Sequence, residues 1–134
     1  MAHFAEIDAD NIVLRVLVVA NEEEHRGQEF LADDLGFGGT WIQTSYNTSN
    51  GVHSGGGTPI RSNYAQIGFV YLSDVDAFQQ GEAARPYPSW VLNENYVWIA
   101  PVAEPDHDPA TERLEWNEGT TSWDVIGQES DPDA

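Results

Sequence analysis

No apolar run in this chain is longer than five residues, the length of Val16-Leu17-Val18-Val19-Ala20. A membrane-spanning helix needs about 20 such residues, so none is expected. Apolar stretches this short, each closed by turn formers, favour short antiparallel strands. Phe4-Ala5-Glu6-Ile7 leads into Asp8-Ala9-Asp10-Asn11 and then into Ile12 to Val19, the pattern of a hairpin. β-Branched residues dominate the second arm, and its near-continuous apolarity predicts a central strand buried on both faces. Asn21 is a good N-cap, with Glu22, Glu23 and Glu24 where a helix dipole favours anions. A helix over about 22–35 would carry Phe30, Leu31 and Leu35 on one side, and Gly36-Phe37-Gly38-Gly39 would end it.

Trp41 to Tyr46 has the composition of a strand. Asn47 to Asn63, rich in Gly, Ser, Asn and Thr, reads as an exposed, mobile loop. Tyr64 to Tyr71 returns to strand character, a turn follows at Ser73-Asp74, and a short run ends at Phe78. Pro86 and Pro88 mark an extended connector over Ala83 to Ser89. Two similar units then follow. Trp90 to Trp98 is a hairpin with a Trp on each arm, and Leu114 to Trp123 repeats the plan. The spacing sets the two indoles of each unit opposite or diagonal across a ladder, where aromatic pairs add roughly 0.2–1 kcal/mol. Pro101 to Pro109 is a stiff acidic spacer. The expected fold is α+β and mostly β: an antiparallel sheet, one helix and C-terminal Trp-bearing hairpins. The expected division is a β-rich domain over 1–100, a connector and hairpin over 101–127, and a disordered tail over 128–134.

The 134 residues include no lysine, and 23 Asp and Glu face five arginines, for a formal net charge of -18. Concentrated counterions screen the self-repulsion of such a surface. We read the composition as adaptation to a salt-rich medium, most simply a halophilic host, over the alternative of a GC-rich genome in which Arg codons displace Lys. Five scattered arginines make no basic patch, so nucleic acid is not an expected partner. Nor is a membrane. The opening Met1 to Glu6 has neither a basic leader nor an apolar run of signal length, and export is not expected.

The absent residue types exclude much chemistry. Without cysteine there are no disulfides, thiolate metal sites or cysteine nucleophiles. Without lysine, Gly55-Gly56-Gly57 is no P-loop, and no Schiff base can form. His3, His25, His53 and His107 are too widely spread for a local metal spacing. Asp8/Asp10, Asp74/Asp76 and Asp106/Asp108 read as turns in which Asp bonds its own backbone, because none continues into a calcium loop. With 23 acids, close carboxylate pairs are guaranteed and uninformative. We therefore expect no enzyme and no catalytic, cofactor or metal residues.

Aromatics carry the stronger signal. Trp41 and Phe69 are assigned to the core. Isolated two-stranded hairpins are marginally stable and must dock on the domain or on a neighbouring subunit. Trp and Tyr are favoured anchors of protein interfaces. Tyr87, Trp90, Trp98, Trp116 and Trp123 are the candidate interface residues.

Four blocks carry a family resemblance: His3 to Asp8 with Asn11 to Val16; Gly39 to Asn47; Arg61 to Tyr71; and Asp76-Ala77-Phe78 through Pro86-Tyr87-Pro88-Ser89-Trp90. In this order they resemble small proteins encoded by tailed viruses, notably marine cyanophages. The Gly-rich stretch from Thr48 to Ile60 and the extreme acidity depart from that likeness. The resemblance implies a viral origin and carries no catalytic residues. The expected role is a virion structural protein of a tailed virus with a halophilic host, most simply a capsid decoration protein. Its expected partners are the major capsid or other virion proteins and further copies of itself in a homo-oligomer. It would reside in the virion, and in host cytoplasm before assembly. A tail component, an acidic DNA mimic that inhibits a host enzyme, and a small glycan hydrolase with its site near His53 are the alternatives.

Overall fold

The computed structural model describes residues 1–127; the expected disordered tail, 128–134, lies outside the described residues. Among the described residues the fold is α+β and mostly β, with one long helical segment, a single 3-10 turn at Glu82–Ala84 and several antiparallel sheets. The chain packs as two compact units. The first holds Met1–Arg85 and Leu92–Trp98, and the second holds Pro86–Val91 and, among the described residues, 99–127.

The first unit is built on a three-stranded antiparallel sheet of β1 (Ala2–Ile7), β2 (Val13–Val19) and β3 (Thr40–Thr44), in the order β2-β1-β3. Asp8 closes the first turn: its Oδ1 accepts from the Asp10 and Ile12 amides at 2.8 and 2.9 Å. The central strand is β1, not the more apolar β2 that the sequence favoured. Side chains alternate across a strand. Ala2 and Phe4 join Val19, Leu31 and Trp41 in one cluster, while Ala5 and Ile7 join Val13, Ala65, Phe69 and Phe78 in another. Trp41 and Phe69 are core residues as expected. The register of β2 shifts between Glu6 and Ile7, leaving Leu14 without a partner in a bulge. Leu14 and Val18 are about half exposed, as befits an edge strand.

Residues 21–34 form one helical segment, α1, whose pitch loosens along its length. Asn21–Arg26 is 3-10, Gly27–Glu29 is α and Phe30–Asp34 is π. Its N-cap is Ala20 rather than Asn21, and no side chain caps it; the Ala20 carbonyl accepts from the Glu23 amide at 2.9 Å. Changing pitch also changes phase. Leu31 is buried and Phe30 packs beside it, but Leu35, expected on the same face, is half exposed. The segment lies close against the sheet because residue 27 is glycine: a Cβ there would fall 2.1 Å from Phe4 Cζ. Gly36, Gly38 and Gly39, all at positive φ, end the segment. The Trp41 indole donates to the Gly38 carbonyl at 2.8 Å.

The Gly-rich segment, read from sequence as an exposed and mobile loop, is folded onto the body. Its strands β4 (Thr48–Ser49) and β5 (Val52–His53) pair, and Thr48 and Asn63 are buried. Asn63 Nδ2 donates to the Phe78 and Asn95 carbonyls at 2.9 and 2.7 Å, and its Oδ1 accepts from the Asn50 amide at 2.8 Å. His53 Nδ1 accepts from the Gly55 and Gly57 amides. The run expected as a strand over Tyr64 to Tyr71 is mostly irregular. Strand β6 (Val70–Leu72) pairs with β7 (Ala77–Gln79), and Val13 exchanges hydrogen bonds with Gly68 and Phe69 instead. A short hairpin of β8 (Val91–Leu92) and β9 (Trp98–Ile99) carries the chain between the units. The second unit contains the hairpin of β10 (Glu112–Asn117) and β11 (Ser122–Gly127).

Candidate functional site

The β10–β11 hairpin turns at Asn117, whose Oδ1 accepts from the Thr120 amide at 3.2 Å, and Thr121 takes a positive φ of 48°. That turn sets the register Trp116↔Trp123, with Leu114↔Val125 one step further along the same face. The opposite face carries Glu115 against Asp124. Like charges directly opposite are unfavourable. Arg113 offsets them by bonding Glu115 at 3.0 Å, and Asn117 donates to Asp124 at 3.2 Å. One face is therefore aromatic and the other charged.

The connector segment covers the aromatic face. Trp116 and Trp123 meet edge to face with ring centroids 5.2 Å apart, and Trp90 stands against both, at 6.0 and 6.2 Å. Tyr87 lies 5.8 Å from Trp90. Near-perpendicular ring pairs are the favourable geometry for aromatic quadrupoles. Glu118 holds the arrangement through three donors. Its Oε1 accepts from the Trp116 indole at 2.8 Å and from the Ser89 hydroxyl at 2.6 Å, and its Oε2 accepts from the Ser89 amide at 3.1 Å. The Trp123 indole donates to the Val102 carbonyl at 2.8 Å, which ties down the acidic spacer.

Two hollows open on this aromatic wall. One, of about 430 Å³, is lined by Tyr87, Trp90, Leu114, Glu115, Trp116 and Trp123. The other, of about 260 Å³, lies among Trp90, Ile99, Val102, Glu104 and Trp123. The arrangement offers flat apolar walls with carboxylates at the margin, suited to binding.

Of the candidate interface residues, Tyr87, Trp90, Trp116 and Trp123 come together and Trp98 does not. Trp98 belongs to the first unit, where its indole donates to the Gly81 carbonyl at 3.0 Å and the Arg85 guanidinium sits 4.7 Å over its ring. The expected repeat of Trp hairpins fails for a local reason. The β8–β9 strands are two residues each, so Trp90 precedes its strand and cannot face Trp98 across a ladder. Ser89 and Glu118 were not legible as site residues, because nothing local signals a contact across 29 residues of sequence.

Two further polar features belong to the first unit. Asp76 Oδ1 accepts from the Tyr71 hydroxyl at 2.6 Å and from Arg61 Nε at 2.8 Å, and Arg61 also donates to the Gln43 carbonyl. The Tyr71 hydrogen bond and Arg61 hold the Asp76 carboxyl below its ordinary range, while the bond to Asp76 and burial push Tyr71 up. His3, Tyr46 and Tyr64 form a small surface triangle of rings 5.7 to 6.0 Å apart. Burial raises the Tyr64 phenol, and the Tyr46 phenol adds to it. Among the described residues, no three His, Asp or Glu side chains gather as a metal-holding group. No described helix is long and apolar enough to cross a membrane.

No protein-family model, curated protein or solved structure matches the chain.

Proposed function

We propose that this chain is an accessory structural protein of a tailed virus with a halophilic host, most simply a capsid decoration protein, and that it acts by protein–protein binding alone. The observation that carries the binding part is the clustering of Tyr87, Trp90, Trp116 and Trp123 in one unit, beside two open hollows. Large amphipathic rings supply contact area at low conformational cost and concentrate at interface hot spots. The virion part is supported by the resemblance of the four sequence blocks to tailed-virus proteins, and the salt-rich setting by the lysine-free, acidic composition. Repetition on a symmetric shell would make modest contacts cumulative.

Purified virus particles prepared in concentrated salt test the reading directly. Quantitative mass spectrometry is expected to find this chain in the particle at a copy number matching the capsid lattice. A copy number of a few to a few dozen would move it to the tail or portal. Its presence in infected cells but not in particles would end the structural reading and favour the DNA-mimic inhibitor.

A further inference from the structure

A few hydrogen bonds fix which way each residue of the three-stranded sheet points its backbone. On β3 the Trp41 amide donates outward to Gln28, and the Gln43 carbonyl accepts outward from Arg61. On β2 the Val13 amide donates to the Phe69 carbonyl and the Val13 carbonyl accepts from the Gly68 amide, again on the outer side. Backbone groups alternate sides along an antiparallel strand. Through the registers Trp41↔Glu6↔Arg15 and Gln43↔Phe4↔Leu17, Arg15 and Leu17 turn their backbone groups inward to β1, so Val16 and Val18 turn theirs outward. Among the described residues neither valine has a hydrogen-bond partner on that side. This open edge has firm ends. Gly68 and Phe69 occupy Val13 at one, and the Ala20 carbonyl accepts from the Glu23 amide at the other. The helical segment is anchored toward the opposite edge, where Gly27 sits on Phe4 of β1 and Gln28 bonds Trp41 of β3.

An open edge invites a further strand, and single chains blunt theirs with lysine or with charges along it. This one is not blunted. Asn11 to Asn21 contain no Asp or Glu, in a chain with 23 of them, and no lysine. The one charge, Arg15, is turned onto Glu6 at 2.9 Å and over the rings of Phe37 and Trp41. The bulge at Leu14 lies beside the end that Gly68 and Phe69 already close. Val18, in the open part, is half exposed.

We propose that β2 pairs antiparallel with β2 of a second copy, about a two-fold axis at Leu17, to form a homodimer. The available groups choose the register. An axis at Val16 would set Val18 against the bulge, and an axis at Val18 would set Val16 against Ala20, whose carbonyl is engaged. An axis at Leu17 sets Val16 against Val18 of the second copy and Val18 against its Val16, and each such pair exchanges two hydrogen bonds. The two Leu17 side chains then face each other across the axis. The half-exposed Val18 gains a valine as its direct cross-strand neighbour. The two sheets become one, in the order β3-β1-β2-β2-β1-β3. The edge is self-complementary: one acid-free apolar run meets itself, so two chains of charge -18 join without a carboxylate on either paired strand. The proposal stands on the first unit alone and is independent of the aromatic cluster.

The test is analytical ultracentrifugation of the full chain over a range of concentrations, with amide hydrogen exchange read at Val16 and Val18. In about 1 M KCl, where repulsion between acidic copies is screened, the 14.8 kDa chain is expected to form dimers. Protection of the Val16 and Val18 amides should rise with chain concentration in step with the dimer. Val18→Pro removes one outward donor from each copy, and proline is tolerated at an edge whose N–H faces solvent. Losing that half of the new hydrogen bonds should weaken dimerisation about 5- to 150-fold. Val18→Glu keeps the backbone donor and should weaken dimerisation more in about 0.1 M salt than in about 1 M. Val52→Glu, at a still more exposed valine on β5, is the control and should dimerise as the wild type does. A chain that stays monomeric in concentrated salt would overturn the proposal, as would a dimer indifferent to both Val18 substitutions. A dimer whose Val16 and Val18 amides stay unprotected would overturn it by moving the interface to another face. Protection of those amides only when capsid protein is added would overturn it in favour of a foreign strand. None of these outcomes sets the copy number in virus particles, so the two readings fail separately.

Discussion

At Gly27 the backbone is ordinary, with φ near -55°, so no strain calls for glycine there. What calls for it is the Phe4 ring, whose Cζ would lie 2.1 Å from an added Cβ. Gly27→Ala gains a little helix propensity and forces the phenyl or the helical segment to move. Overpacking of this kind costs about 1–3 kcal/mol. Chemical denaturation of the variant should show that loss, and a more stable variant would mean the segment shifts freely. Asp76 gives a second prediction, in pH. Its carboxyl titrates below the ordinary 3.8 in the folded protein because Tyr71 and Arg61 bond the charged form. A depressed carboxyl stabilises above its unfolded value, and that contribution disappears as pH falls through the folded value. Tyr71, raised above 10.0 mainly by its bond to Asp76, contributes below its unfolded value and loses the contribution as pH rises through the folded one. Asp76→Asn should therefore be less stable than the wild type at neutral pH, with the gap closing below about pH 4. The gap should be small, since Asp76 is more than half exposed. A gap that stays constant down to the acid limit would remove the carboxylate as its cause.

Glu118 is the joint of the second unit, where two Ser89 donors and the Trp116 indole converge on one carboxylate. Glu118→Ala leaves all three donors short of an acceptor, and each half-buried donor costs up to about 1–3 kcal/mol when it is not rescued by water. The Ser89 amide should then exchange with solvent faster, and the Trp116 indole resonance should move, while the Trp41 and Trp98 signals stay in place. Unchanged Ser89 exchange would show that ring packing alone holds the connector. Elements like the β10–β11 hairpin were legible because their signals are local: alternating side chains, a polar turn and a Trp on each arm. The first hairpin, the strand at Trp41 and the glycines that end α1 were legible for the same reason. What escaped the sequence depends on distant neighbours. β1 became central because β3 returned beside it after the helical segment, and its small alanines suit a strand packed on both faces. The Gly-rich loop folds because Thr48 accepts from the Ile60 amide across the loop and Asn63 bonds groups far away in sequence, Phe78 and Asn95. Of the candidate site, four rings were legible as aromatic composition, and their union with Ser89 and Glu118 was not.

At the scale of the whole molecule, every arginine is already committed. Arg15, Arg26, Arg61, Arg85 and Arg113 each pair with at least one carboxylate, at 2.6 to 3.1 Å for the closest contact of each. Exposed pairs of this kind contribute about 0–1 kcal/mol each and weaken with salt. Five arginines cannot balance 23 acids, and the chain carries a formal charge of -18. Added salt therefore screens two opposing terms, a few short attractions and a much larger set of repulsions. At about 0.1 M salt the screening length is roughly 10 Å, so carboxylates repel across several side chains; at about 1 M it is roughly 3 Å, and only touching pairs still interact. The repulsions should relax more than the attractions, because most of them act beyond contact distance. Thermal unfolding is thus expected at a higher midpoint in about 1 M KCl than in about 0.1 M, with NaCl giving a similar rise, since the argument depends on ionic strength rather than on a bound ion. A neutral osmolyte at equal osmolality should reproduce only part of the rise, because it leaves charge repulsion unscreened. A midpoint that is flat or falls with salt would mean that the acidic surface does not destabilise the fold, and it would remove the physical ground for reading the composition as adaptation to brine.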